Sequence, residues 1–159
     1  GIVSKLNYYT DEELKQIIIR TSKVLKMPID EMAAMELAKR SRKTPRIANR
    51  LFKRVRDFTL VAGDKTISLE TTKKALNRLK IDEYGLDSLD LEYLDALITK
   101  FNGGPVGAGT IATSIGEEVT TVEEVVEPFL LQEGFVKRSQ RGRIATEKAY
   151  HHLGIAIKK

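Results

Sequence analysis

Near its end the chain runs from a helical stretch straight into Gly134-Phe135-Val136-Lys137-Arg138, then Ser139-Gln140-Arg141-Gly142, then Arg143-Ile144-Ala145-Thr146. Two short runs of this kind around a glycine-containing turn read as a tight hairpin, with strands expected at 134–138 and 142–146. Upstream, Leu91, Leu94, Leu97, Ile98 and Phe101 recur at helical spacing, so a helix is expected near 88–101, ended by Gly103-Gly104. A short helix near 109–115 follows, and Thr120-Thr121-Val122-Glu123 reads as the capped start of another over about 121–132. A last helical turn is expected at 147–153. Helix, helix, hairpin is the order of a winged-helix domain, and the hairpin tip carries four cations between Lys137 and Arg143.

The first half is helical throughout. Thr10-Asp11-Glu12-Glu13 is a capping box, and Leu14, Ile17, Ile18 and Leu25 follow it, predicting a helix over 11–25. Asp30 can cap a short helix that ends near Arg40. Thr44-Pro45 places a capping threonine before a proline whose missing donor costs nothing at the first helical position. Ile47, Ala48, Leu51, Phe52 and Val55 continue that helix, and Gly63 can close it in a left-handed cap. Ser68 opens a fourth helix with Leu69, Ala75, Leu76 and Leu79 inward. The expected fold is mainly α: a four-helix domain over 1–80, then a winged-helix domain over 81–159 with a small β-hairpin wing.

Composition removes several kinds of chemistry. Among 159 residues there is no cysteine, so no disulfide or thiolate metal site can form. The two histidines, His151 and His152, are adjacent, which leaves no material for a zinc cluster or a Ser/His/Asp triad. No apolar run approaches the roughly 18 residues needed to span a membrane, so a soluble, cytoplasmic protein is expected. Gly107-Ala108-Gly109-Thr110-Ile111-Ala112 loosely matches a dinucleotide fingerprint, but no strand–helix–strand unit surrounds it. There is no G-x-x-x-x-G-K-[ST] loop, so no catalytic residue is expected in this chain.

Where the charge sits says more than the net value of +5. Nine Lys or Arg and no acid lie between Lys39 and Arg56. Such a run can be a solvated helix face, or part of it can meet a phosphate. Arg46 is the candidate for that, because it falls in the first turn of its helix, where free amides and the macrodipole favour an anion. The hairpin likewise reads either as a charged, solubilising loop or as a polyanion contact. Beside it the 121–132 segment holds Glu123, Glu124 and Glu127 and no cation, with Glu117 and Glu118 just before. That helix would be repelled by a phosphate backbone, so the hairpin, not the helix, is expected to meet nucleic acid, with little base specificity.

Several blocks together resemble the C-terminal half of the RuvB family of AAA+ motors. They are Thr44-Pro45-Arg46-Ile47-Ala48-Asn49-Arg50-Leu51 with Arg54-Val55-Arg56-Asp57-Phe58, then Gly85-Leu86-Asp87, Gly103-Gly104-Pro105-Val106-Gly107, Glu127-Pro128-Phe129-Leu130 and Arg141-Gly142-Arg143-Ile144-Ala145-Thr146. The resemblance implies an AAA+ lid followed by a DNA-binding winged helix. It implies that Arg46 is the second-sensor arginine and that Tyr9 lies beside the nucleotide. It also implies that Arg138 and Arg143, with Arg141 between them, touch the DNA backbone. Two positions depart from the family pattern: Val119 stands where many members have a phosphate-contacting arginine, and Lys43 where glycine is usual.

The implied parent is an ATP-dependent branch-migration helicase acting on double-stranded DNA at four-way junctions in recombination and repair. It would use ATP or ADP with magnesium, dock RuvA, and assemble as a hexamer through a large domain that precedes this piece. The chain itself is then expected to be a monomeric C-terminal fragment, inactive alone and needing no cofactor. Two other classes stay open. One is a sequence-specific winged-helix transcriptional regulator. The other is an adaptor whose winged helix binds protein.

Overall fold

The computed structural model describes residues 8–157, and these fall into two compact units divided at Leu86 and Asp87. The first unit is all helix. Helix α1 (Asp11–Val24) starts at the capping box: the Glu13 amide donates to Thr10 Oγ1 at 3.1 Å, and the Thr10 amide donates to Glu13 Oε1 at 3.0 Å. Helix α2 (Glu31–Lys39) starts after Asp30, which holds the cap position without a side-chain cap bond. Helix α3 (Pro45–Val61) has proline at its start and Gly63, at φ +84°, just beyond its end. Helix α4 (Leu69–Arg78) is capped by Ser68, whose hydroxyl accepts the Thr71 amide at 3.1 Å. Leu14, Ile18, Leu37, Leu51, Phe52, Val55 and Leu76 form one largely aliphatic core from all four. A polar tie, Thr21 Oγ1 donating to Asn49 Oδ1 at 2.7 Å, fixes α1 against α3.

The second unit opens with α5 (Ser88–Asp95), which widens into a π-helical turn over Ala96–Lys100. Helix α6 (Ala108–Ser114) follows. The acidic helix begins earlier than expected, as α7 (Val119–Thr121), becomes π-helical over Val122–Val126 and ends as α8 (Glu127–Gln132). Thr120 and Thr121 therefore lie inside the helix instead of capping it. The Val122 amide already bonds the Glu118 carbonyl at 3.1 Å, a register held by the burial of Val122 and Val126. Pro128 cannot donate to the turn before it, which accounts for the widened ladder just upstream.

Strands β1 (Val136–Ser139) and β2 (Gly142–Ala145) pair antiparallel, with Val136 opposite Ala145, Arg138 opposite Arg143 and Ser139 opposite Gly142. On the far side of β2, Val106 and Arg143 exchange two backbone bonds, Arg143 N to Val106 O at 2.7 Å and the reverse at 3.1 Å. The wing is thus held from both edges of β2. Helix α9 (Glu147–Leu153) closes the unit, ending on Gly154 at φ +68°. The fold is mainly helical with a small two-stranded wing, as the sequence implies.

Candidate nucleic-acid interface and lid site

The turn between β1 and β2 is fastened by one side chain. Ser139 Oγ donates to the Gly142 carbonyl at 2.9 Å and accepts the Arg141 amide at 3.2 Å. Gly142 sits at φ +130°, and a Cβ there would strike the backbone of Val106, so only glycine fits. This tight turn holds Gln140 and Arg141 out in solvent, with Lys137 exposed on the strand behind them.

Arg138 and Arg143 face each other across the ribbon and share a third partner. Glu127, 0 % exposed, forms a fork with Arg143: Nε to Oε2 at 2.8 Å and Nη2 to Oε1 at 3.0 Å. Arg138 Nη2 lies 3.8 Å from the same Oε1. From the core side, the fully buried Tyr93 donates its phenol to Glu127 Oε2 at 2.5 Å. Glu123 adds a longer contact to Arg143 Nη2 at 3.5 Å. Burial and the adjacent carboxylate push the Tyr93 phenol far above its ordinary range, and the Glu127 bond holds the Arg143 guanidinium still more firmly protonated. The trio is a neutral phenol, a carboxylate and a cation.

The three predicted wing arginines are therefore not equivalent. Arg141 is fully at the tip. Arg138 is 56 % exposed and only loosely drawn to Glu127. Arg143 is 13 % exposed at its side chain and engaged internally through Nε and Nη2. Among the described residues its Nη1 has no partner. The acidic helix also differs from its sequence reading: Glu127 is buried and paired with Arg143, so of its three glutamates only Glu123 and Glu124 face solvent. Sequence reasoning missed Tyr93 and Glu127 as parts of this cluster. The only signal was a glutamate directly before a proline inside a helix, and it does not point at Arg143.

In the first unit the two predicted nucleotide residues lie at one end. The Tyr9 amide donates to the Lys43 carbonyl at 2.9 Å, and Lys43 Nζ sits 3.7 Å from Asp11 Oδ1. That joins the entry of α1 to the loop leading into α3. The Tyr9 side chain packs half-buried on the core, while Arg46 is exposed in the first turn of α3. Each of α1, α2 and α4 has an acid in its first turn, and α3 has none. Lys43 adopts φ +62°, the left-handed region that glycine occupies freely, so a lysine is held there at some strain. Of the basic run, Arg40 is committed to Glu36 at 2.8 Å and to the Ile81 carbonyl at 3.0 Å. Arg42 reaches the Gly85 carbonyl at 3.3 Å, and Arg56 pairs with Asp57 at 3.1 Å.

Two family models match the sequence in succession: the RuvB AAA lid domain over residues 9–82 and the RuvB C-terminal winged helix domain over residues 83–154. The chain belongs to the RuvB family. It is 56 % identical over 159 residues to the Holliday junction branch migration complex subunit RuvB of Acholeplasma laidlawii (strain PG-8A), covering 100 % of this chain and 47 % of that protein. The same-named protein of Staphylococcus aureus (strain JH9) is 56 % identical over 153 residues, 96 % of this chain and 46 % of its own. Among solved structures, the Thermotoga maritima RuvB Holliday junction branch migration motor superposes with a TM-score of 0.93 at 47 % identity, over 99 % of this chain and 53 % of that one. The chain thus spans about half the length of the curated RuvB relatives it matches.

Proposed function

We propose that this chain supplies the nucleotide-sensing lid and the DNA-gripping foot of an ATP-driven motor that moves Holliday junctions. The carrying observation is the hydrogen-bonded wing turn, with Lys137, Arg138 and Arg141 exposed beside a helix that shows Glu123 and Glu124 and no cation to solvent. A cationic turn next to a repelling helix grips phosphates without reading bases, which suits a motor that must accept any sequence. Arg143 joins through its remaining Nη1 edge. The names of the relatives supply the substrate, the Holliday junction, and its branch migration; on this reading that substrate is double-stranded DNA at a four-way junction and the setting is recombination and repair. Docking to RuvA and assembly into a hexamer belong to the whole motor on this reading.

For the lid, the fit to a nucleotide rests on Arg46 at an acid-free helix start, with Tyr9 tied to the same end. Bound ATP would supply the energy of phosphoryl transfer. Arg46 would hold a phosphate electrostatically and Tyr9 would flank the nucleotide. No group of His, Asp or Glu suited to a metal ion occurs among the described residues, so no step through magnesium is assigned to this chain.

The test is duplex binding measured over a salt series with several unrelated sequences. Affinity should ignore sequence and fall with a log–log slope of about −3, the release expected for three or so phosphate contacts. Replacing Arg138, Arg141 and Arg143 together by alanine should abolish it. A footprint at one preferred sequence, or affinity that the triple variant retains, would overturn the reading.

A further inference from the structure

Arg138 and Arg143 stand directly opposite on one face of a two-stranded ribbon, an arrangement in which like charges repel and splay. Glu127 Oε1 lies between their guanidinium groups, 3.0 Å from one and 3.8 Å from the other. The carboxylate is itself fully buried, and its second oxygen is filled by Arg143 Nε and the Tyr93 phenol. Burying an ion pair stabilises a fold no better than well-packed apolar residues do. What such a pair does supply is direction. The bidentate fork allows one guanidinium orientation, and the Tyr93 phenol, fixed in the core from α5, sets the carboxylate that makes the fork.

We infer that Glu127, oriented by Tyr93, is a positioning residue for DNA binding. Without touching DNA, it holds Arg143 so that the wing meets a phosphate with that guanidinium already aimed. This rests on the proposed DNA-gripping role of the wing. Two influences oppose each other here. By charge alone, an acid close to the DNA-facing arginines weakens binding, so removing it should help. By positioning, removing it frees a guanidinium that must then be ordered on the DNA. The sign of the effect therefore separates them.

The experiment is salt-titrated duplex binding by the whole chain and by E127Q, R143A and the E127Q/R143A pair. E127Q keeps the side-chain volume and raises the net charge by one, yet it should weaken affinity by about tenfold, the scale of a single charge-assisted hydrogen bond. In the R143A background it should cause no further loss, because Glu127 acts through that arginine. A purely structural role would lower affinity in both backgrounds. E127Q binding as tightly as wild type or more tightly would overturn the inference, and so would an equal loss with Arg143 already gone. If E127Q does not fold, Y93F removes only the orienting phenol. A smaller loss, again absent in the R143A background, is then expected, and wild-type affinity would count against the inference. A wild-type chain without salt-steep duplex binding would overturn the proposed function as well, so the two failures are told apart.

Discussion

At the scale of single residues the cluster beneath the wing shows how a surface-looking sequence hides an interior. Glu127 sits in a run of glutamates, and Tyr93 in a helix that also buries Leu94 and the capping Asp90, yet both are fully buried. Their partners lie 16 and 34 positions apart in sequence, so no local pattern announces them. The pair has a stability signature. The charged groups around the Tyr93 phenol are Glu127, Arg143 and Arg138, and burial with the Glu127 carboxylate outweighs the two arginines to raise the phenol above its ordinary value of 10.0. A raised folded-state value means that the neutral phenol stabilises the fold fully below pH 10 and that this contribution is lost as pH climbs beyond it. In that range the wild-type stability should fall by about 1.4 kcal/mol per pH unit from this group alone. Tyr93→Phe should cost about 1–3 kcal/mol at neutral pH, because a buried carboxylate loses a donor. The two stability curves, measured by urea unfolding from pH 7 to 11, should converge above pH 10; parallel curves would remove the coupling.

At the scale of elements, glycines of one short stretch play opposite parts. Gly104 has φ +91°, and a Cβ there would collide with the Arg143 carbonyl, the group that Val106 also bonds on the open edge of β2. Gly104→Ala should therefore destabilise the winged-helix unit by about 2 kcal/mol or more, by forcing the 103–106 segment off the wing. Gly109 lies in the first turn of α6 with nothing within 4 Å of its would-be Cβ. Gly109→Ala should stabilise by about 0.5–1 kcal/mol through helix propensity. Thermal unfolding of the two variants decides both, and a neutral Gly104→Ala would mean the wing does not need that edge. The same contrast explains what could be read beforehand. Helix starts at Thr10, Thr44-Pro45 and Ser68 were legible because a cap and the amide it satisfies lie three residues apart. The early start at Val119, the π-helical turns and the Val106 edge were not, since burial and a distant strand decide them. The wing tip was legible as a turn, but not which of its arginines was already engaged.

For the whole molecule the decisive property is that its two cationic sites are on separate compact units joined through a covalent connection at Leu86–Asp87. Arg46 belongs to the lid and faces solvent at a helix start; Lys137, Arg138 and Arg141 belong to the wing. If the lid senses nucleotide and the foot grips DNA, their losses must be separable. In the full-length motor, Arg46→Ala should depress ATP turnover by about 10²-fold, the scale for removing one preorganised contact to a reacting phosphate. It should leave the affinity for junction DNA and its salt slope unchanged, because one fewer cation on the lid removes no phosphate contact. The wing triple variant should do the reverse to binding. ATP hydrolysis in the absence of DNA should stay near wild type in that variant, while junction binding and branch migration are lost. Steady-state ATP turnover with and without DNA, set beside salt-titrated junction binding for the two variants, gives the comparison. Should Arg46→Ala flatten the salt slope of DNA binding, the basic face of α3 would belong to the nucleic-acid surface, and the division of labour between lid and foot would fail.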